Sequence, residues 1–261
     1  LIFLDEINRR NPTPNVGRIE STNPCGEVPL LPYESCNLGS INLSKMTGDG
    51  EIDWDKLGRT VRTAVHFLDN IIDANKYPLL EIEKSTRANR KIGLGVMGFA
   101  EMLAQLGVSY DSEKAVSTAE RLMAFISKEA RKKSVELGEE RGSFPNYAGS
   151  IWEKRGYKAM RNATVTSIAP TGTISIIAGT SSGIEPLFAV AFVRNVMGTQ
   201  LFEVNPVFER IAKEKGFYNT ELVTKVTKFG SVQNIDEIPK DVRRTFVTAL
   251  DIAPEWHVRM Q

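Results

Sequence analysis

The clearest hydrophobic pattern in the chain lies at residues 55–74, where Leu57, Val61, Val65, Leu68 and Ile72 recur at helical spacing. Apolar side chains three or four residues apart share one helix face, so this segment is predicted to bury a stripe and to end before Pro78. A second helix is predicted from Gly98 to Leu106. A third is predicted over 112–137, capped by Asp111 or Ser112, with Ala115, Ala119, Leu122, Ile126 and Ala130 as its stripe and Gly138 as its stop. Asn205-Pro206 opens a helix that reaches Lys215 and closes at Gly216. The last helix starts near Pro239 and carries Val242, Phe246 and Leu250. The β-branched run at 163–169 reads as a strand ended by Pro170, and 185–194 reads as another. Residues 1–50, punctuated by Pro12, Pro14, Pro24, Pro29, Pro32 and Gly48, read as loops, as does 141–146. There is no internal repeat and no low-complexity tract.

Composition narrows the function classes. A length of 261 residues suits one large domain or two small ones. A net charge of +1, with basic residues spread along the chain, argues against a nucleic-acid platform. No apolar run approaches the length needed to span a membrane. The opening Leu-Ile-Phe-Leu-Asp-Glu has neither a basic segment nor a cleavage site, so no signal peptide is expected and the cytoplasm is the expected compartment. The chain starts without Met and stops at Arg-Met-Gln in what reads as mid-element, so it is taken as a piece of a longer chain.

The candidate chemistry concentrates in Asn23-Pro24-Cys25-Gly26-Glu27, followed by Cys36; these are the only two cysteines, too few for a secreted disulfide scaffold. In an extended segment, positions i, i+2 and i+4 point to one side, which would aim Asn23, Cys25 and Glu27 at a single bound molecule. The bland alternative is a buried, inert cysteine. Against it, Pro24 and Gly26 are poor core formers, and a carboxylate such as Glu27 resists burial without a partner. A carboxylate so near repels a thiolate, which disfavours protease-like attack. A neutral thiol can instead give up a hydrogen atom and act as a radical. Cys36, eleven residues on, is too far for a C-x-x-C motif, and a reactive thiol there would cycle through a transient disulfide. No metal site is expected, since only His66 and His257 could join two cysteines, and His66 sits in a helical pattern as a structural residue.

Three glycine-bearing segments are further candidates. Ala169-Pro-Thr-Gly-Thr-Ile-Ser175 follows a predicted strand and offers backbone N–H groups and Thr hydroxyls to an anion, or is an ordinary strand-to-helix turn. It lacks the Lys of a P-loop. Gly93-Leu-Gly95-Val-Met-Gly98 matches G-x-G-x-x-G, but neither the strand before it nor the acidic strand end after it is present, so close helix packing is the expected role. Gly179-Thr-Ser-Ser-Gly183-Ile-Glu185-Pro186 reads as a loop, with Glu185 either a structural anchor or a lining residue.

Taken together these residues resemble the catalytic subunit of ribonucleotide reductases. Asn23-x-Cys25-x-Glu27 looks like that family's active-site triplet. Asn-Leu-Gly-Ser-Ile-Asn after Cys36, Lys91-Ile-Gly-Leu-Gly-Val-Met-Gly-Phe99, Arg141-Gly-Ser-Phe-Pro145 and Ala169-Pro-Thr-Gly-Thr173 fall in the family's order, up to Pro254-Glu-Trp-His-Val258. The resemblance implies an α/β fold: the C-terminal-side portion of a ten-stranded α/β barrel, with the radical cysteine on a finger loop. Cys25 would become a thiyl radical that abstracts the 3′ hydrogen of a ribonucleotide, with Glu27 as general base and Asn23 orienting the substrate. Cys36 would be one of two thiols that reduce the 2′ carbon and end as a disulfide, its partner lying in the missing N-terminal part. Pro24 and Gly26 would line the substrate, and Pro170, Thr171, Gly172, Thr173 and Ile174 would hold its phosphates.

The run from Pro24 to Ser40, with its tight Cys25–Cys36 spacing, looks most like the adenosylcobalamin-dependent enzymes. Oxygen-dependent enzymes with a metal-radical partner subunit carry similar runs and are the alternative. The implied partners are a ribonucleoside di- or triphosphate, a thioredoxin-type reductant and a second copy in a homodimer. Two further readings stand beside this one. One is a non-catalytic nucleotide-binding module with a structural Cys25. The other is a half-barrel with exposed strand edges, inactive until joined to its other half.

Overall fold

A computed structural model describes the backbone of residues 1–196 and 199–261, and the side chains of these outside 194–201. Along the chain run α1 (Leu4–Arg9), β1 (Ser21–Thr22), β2 (Pro29–Leu30), β3 (Leu38–Asn42), β4 (Thr47–Gly48), β5 (Glu51–Ile52), α2 (Trp54–Ala74), α3 (Leu80–Asn89) and β6 (Gly93–Met97). Then follow α4 (Phe99–Gln105), α5 (Glu113–Arg141), α6 (Ile151–Lys154), α7 (Gly172–Ala178), β7 (Ala191–Val196), β8 (Thr199–Val204), α8 (Pro206–Glu214), α9 (Thr220–Phe229), α10 (Lys240–Thr245) and α11 (Pro254–Met260). The described strands pair two by two: β1 with β2, β3 with β6, β4 with β5, and β7 with β8.

The strongly periodic helices form where the pattern places them. α2 buries Leu57, Val61, Val65, Leu68 and Ile72. α8 starts at Asn205, whose side chain accepts the Val207 and Phe208 N–H groups, with Pro206 in the first turn. α5 starts one residue inside the predicted bound, where the Ala115 N–H donates to Ser112 Oγ at 3.2 Å. It then runs four residues past 137, so Gly138 is not its stop. A Cβ at Gly138 would lie 2.8 Å from the Met160 nitrogen, so that glycine serves close packing, and Gly142, at φ +86°, follows the actual end.

Other expectations are corrected by tertiary contacts. The predicted last helix breaks after Thr245. Asp251 Oδ2 accepts both the Thr248 N–H (2.8 Å) and its hydroxyl (2.7 Å), and this turn leaves Leu250 93% exposed. The expected strand at 163–169 is reduced to one parallel bridge, Leu94 to Thr166. Ile92 N–H bonds Thr164 O and Leu94 N–H bonds Val165 O, so two residues on one side meet one on the other and the ladder breaks. The strand expected at 185–194 begins only at Ala191; Pro186 has no N–H to give, and Leu187 makes a lone bridge to Thr248. Five described helices escaped the pattern: α1, α3, α6, α9 and α11. α3 buries Thr86 and Asn89 rather than an apolar stripe, and α9 is short, capped by Asn219 and closed by Gly230 at φ +70°.

Residues Gly93–Met97 of the G-x-G-x-x-G run form the strand β6, buried at every position, and Gly93 and Gly95 serve strand approach rather than the expected helix packing, whereas Gly98, left-handed at φ +74°, caps the start of α4. A Cβ on Gly95 would sit 2.1 Å from the Ser167 carbonyl oxygen, and one on Gly93 would sit 2.5 Å from Leu38. Gly95→Ala is therefore expected to lower stability by about 1–3 kcal/mol through overpacking. The readout is the urea midpoint at constant m-value; an unmoved midpoint would show that the two backbones part without cost.

The chain divides into two compact units. The first comprises Leu1–Ile41, Trp54–Val96 and Met123–Pro170, and the second Asn42–Asp53, Met97–Leu122 and Thr171–Gln261. In the first, the fully buried Asp69 accepts from Arg90 Nε (2.9 Å), Asn162 Nδ2 (2.9 Å) and Arg161 Nε (3.2 Å). In the second, Phe208 and Phe246 meet edge to face within an apolar cluster that includes Val190, Val207, Leu222, Val226 and Ile238.

Candidate active site

The segment that carries Cys25 is a hairpin. β1 and β2 pair antiparallel, Ser21 with Leu30 and Thr22 with Pro29. Across the mouth of the loop Asn23 N–H donates to Val28 O (3.2 Å), and Val28 N–H donates back to Asn23 Oδ1 (2.9 Å). Gly26 N–H donates to Asn23 O at 3.0 Å, closing a turn over Pro24-Cys25. Gly26 sits at φ +87°, which a side chain resists. The extended triplet expected from i, i+2, i+4 spacing is thus a turn, because Pro24 and Gly26 favour one. Asn23 Oδ1 is spent within the loop. Pro24, Cys25 and Gly26 are exposed at its tip.

Cys25 and Cys36 are both exposed and unbridged, so the inert buried cysteine is set aside. The Cys36 thiol is pushed above its ordinary value of 9.0, first by partial loss of water around the sulfur, then by the Glu27 carboxylate and by Cys25. Cys36 therefore lies close enough to Glu27 and Cys25 to feel both. Glu27 has one carboxylate oxygen, Oε2, that is buried without a hydrogen-bond partner among the described residues. A buried, unpaired carboxylate oxygen is costly and asks for a reason. The Glu27 carbonyl accepts from Ser167 Oγ at 2.8 Å, which ties the hairpin to the segment beside β6. Sequence reasoning did not single out Ser167; it lies 140 positions from Glu27, and no local pattern marks such a pair.

Pro170, the last residue of the first unit, is exposed. Thr171 to Ile174 belong to the second unit and open α7. Thr171 is buried and left-handed at φ +56°, and its Oγ1 accepts the Gly183 N–H at 2.7 Å. Its hydroxyl therefore holds the neighbouring loop. Gly172, Thr173 and Ile174 are exposed on the first helical turn, whose N–H groups have no partner within the helix. Within this unit a cavity of about 1040 Å³ is lined by Gly172, Ser175, Ile176, Glu185 and Phe188, among others; Glu185 is thus a lining residue. Buried Glu101 accepts from Thr180 Oγ1 (3.0 Å), Ser181 Oγ (2.6 Å) and Asn205 Nδ2 (3.0 Å), which holds the 179–183 loop.

His66 Nε2 lies 2.8 Å from Arg141 Nη2, a structural pairing on α2. Among the described residues no group of three or more His, Cys, Asp or Glu is placed to hold a metal ion. No described helix is long and apolar enough to cross a membrane.

Comparison with known proteins matches the family model "Ribonucleotide reductase, barrel domain" to residues 1–261. A vitamin B12-dependent ribonucleoside-diphosphate reductase of Thermoplasma acidophilum is 60% identical over 263 residues, covering 100% of this chain and 34% of that protein. One of Mycobacterium tuberculosis (strain CDC 1551 / Oshkosh) is 57% identical over 261 residues, covering 100% of this chain and 37% of that protein. Among solved structures, the class Id ribonucleotide reductase alpha subunit of Actinobacillus ureae superposes with a TM-score of 0.75 at 25% identity, over 95% of this chain and 46% of that one. The chain spans about a third of the length of these curated relatives. The α/β fold implied by the resemblance, part of the family's barrel, is borne out.

Proposed function

The chain belongs to the ribonucleotide reductase family, in its barrel domain, and from that premise we propose that the full-length protein reduces ribonucleoside diphosphates to 2′-deoxyribonucleotides through a radical on Cys25. The observation that carries the reading is the grouping of Cys25, Glu27 and Cys36 around a hairpin, with a carboxylate oxygen of Glu27 left unpaired.

In this reading Cys25, as a thiyl radical, takes the hydrogen atom from C3′ and becomes a thiol. Glu27 accepts the 3′-hydroxyl proton at its unpaired oxygen. The C2′–O bond breaks and the 2′-hydroxyl leaves as water. Cys36 and a second thiol outside these 261 residues supply two electrons and two protons and are oxidised to a disulfide. Cys25 then returns its hydrogen atom to C3′, and Glu27 its proton to the 3′ oxygen. A thioredoxin-type dithiol reduces the disulfide for the next turnover. Asn23, with Oδ1 bound to Val28, has its amide N–H groups for the substrate. Pro170 and the exposed Gly172–Ile174 turn carry the phosphates, and Thr171 shapes that turn from within.

Adenosylcobalamin is the favoured radical source, because the relatives named as vitamin B12-dependent are 57% and 60% identical, whereas the class Id alpha subunit is 25% identical. A thiol that must meet an external radical source has to be accessible and unbridged, and Cys25 is both. When bound, the cofactor supplies the unpaired electron that ends on Cys25.

The test uses the full-length protein purified without metal, given a ribonucleoside diphosphate and a dithiol, with and without adenosylcobalamin. Deoxynucleotide formation is expected only with the cofactor. Turnover that waits for a metal-loaded partner subunit would replace the cofactor and keep the thiol roles. No turnover under either condition would overturn the reductase reading.

A further inference from the structure

Between Glu27 and Cys36 the chain makes a six-residue excursion, Pro29 to Glu34, and a buried ion pair closes it. The side chains of Lys91 and Glu34 are 4% and 2% exposed, and Nζ lies 2.6 Å from Oε2. The same ammonium reaches the Pro29 carbonyl oxygen at 3.4 Å. One cation thus grips both ends of the excursion, two residues after Glu27 and two residues before Cys36. Glu34 is otherwise saturated: Oε2 also accepts the Leu31 N–H (2.6 Å), and Oε1 accepts Asn89 Nδ2 (2.5 Å). Asn89 is held in turn by Asn146 Nδ2 at 2.8 Å.

Lys91 immediately precedes Ile92, the residue before β6, and β6 pairs with β3, whose first residue is Leu38. The Cys36 side of the excursion has its own ties: Ser35 Oγ to Thr86 Oγ1 (2.9 Å) and Asn37 Nδ2 to Leu68 O (2.7 Å). The hairpin side is tied through Ser167. Lys91 joins the two sides directly from outside the excursion, adding to the Leu31–Glu34 contact within it. A buried lysine and carboxylate cost desolvation that their attraction only partly returns, so such a pair is a weak stabiliser but a stiff, directional one.

We propose that Lys91 and Glu34 are positioning residues that hold the reducing thiol Cys36 in register with the hairpin bearing Cys25 and Glu27. The inference rests on the reductase reading for its effect on turnover, but not for its effect on the Cys36 environment. Cys36 now feels both Glu27 and partial burial, which disfavour its thiolate. Releasing the grip removes part of both influences.

The experiment compares the full-length wild type with Lys91→Met and with the double variant Glu34→Gln/Lys91→Met. The single variant leaves a carboxylate buried without its cation and is expected to lose stability. The double variant removes both charges and is expected to recover most of it. Three quantities are read: the urea midpoint, the pH profile of Cys36 alkylation followed by peptide mass spectrometry, and kcat against KM. In both variants the alkylation midpoint of Cys36 is expected to move down toward 9.0. The value of kcat is expected to fall on the order of 10- to 100-fold, the scale of an ångström-size misplacement, with KM within about twofold. The proposal is overturned if the alkylation profile stays at the wild-type position, or if the double variant recovers kcat together with stability. If the wild type itself shows no turnover, the reductase reading fails while the alkylation profile still decides the positioning role.

Discussion

Cys25→Ser in the full-length protein is expected to abolish deoxynucleotide formation, a loss on the order of 10⁴-fold or more, as when the reacting atom of a covalent centre is deleted. The replacement is nearly isosteric. Cys25 is exposed at the tip of a turn closed by the backbone of Asn23 and Gly26, so no core contact is lost. Stability should stay within about 0.5 kcal/mol of wild type, the range for exposed positions. What changes is the bond to hydrogen. An O–H bond is much stronger than an S–H bond, so a hydroxyl at this place cannot serve as the radical carrier. Nucleotide binding, measured by equilibrium dialysis, should survive unchanged. The non-catalytic reading predicts the same binding and no reductase activity in the wild type. Turnover in the Cys25→Ser protein equal to wild type would end the radical mechanism. Cys36→Ser is the companion control: it leaves the Cys25 thiol in place and removes one of the two reducing thiols, so repeated turnover with a dithiol reductant should stop.

The second large effect is on stability. Asp69→Asn is expected to destabilise the protein by about 3–5 kcal/mol, the range for removing one partner from a buried ionic network. Asp69 sits on α2 with its side chain 0% exposed. Its Oδ1 receives Arg90 Nε and Asn162 Nδ2, and its Oδ2 receives Arg161 Nε and lies 4.0 Å from Arg141 Nη1. An amide keeps the shape but replaces one acceptor oxygen by a donor nitrogen that faces guanidinium donors, and it removes the charge. Asp73 would remain beside Arg90, at 2.8 and 2.9 Å from its two terminal nitrogens. That hydrogen-bonded contact holds the Asp73 carboxyl below its ordinary range, and Asp73 is already engaged through both oxygens by Arg90, with Arg87 and Arg161 beside it. Arg90 adds a conformational reason: it is left-handed, at φ +45°, at the end of α3, and Asp69 is the fully buried one of the two carboxylates that fix its side chain there. The measurement is the urea midpoint of the full-length protein. A shift worth less than about 1 kcal/mol, the scale of exposed ion pairs, would show that the arginines find other partners.

Much of the candidate site was legible before any coordinates. The identities and order of Asn23, Cys25, Glu27 and Cys36 are written in one short run, and their chemistry follows from side-chain type: a thiol near a carboxylate, with a second thiol eleven residues on. The long helices were legible too, because burying one face imposes a 3.6-residue period that survives in the sequence of α2 and α8. The cap at Asn205-Pro206 is equally local.

The structure decided what depends on residues far apart in the chain. Whether Cys25 sat on an extended segment or a turn was settled by Asn23 and Val28 bonding across the loop. The run at 163–169 had strand composition, but its irregular register against β6 left a single bridge. Gly93 and Gly95 had the letters of a dinucleotide loop, and only the approach of Leu38 and Ser167 showed what the missing side chains make room for. Lys91 and Glu34 lie 57 positions apart, and Arg161 lies 92 from Asp69. By itself the sequence determined which reactive groups exist and which faces must be buried, because those are properties of single residues and of local period. Only the tertiary structure determined which groups meet, because hydrogen bonds and ion pairs between distant segments leave no periodic trace in either partner.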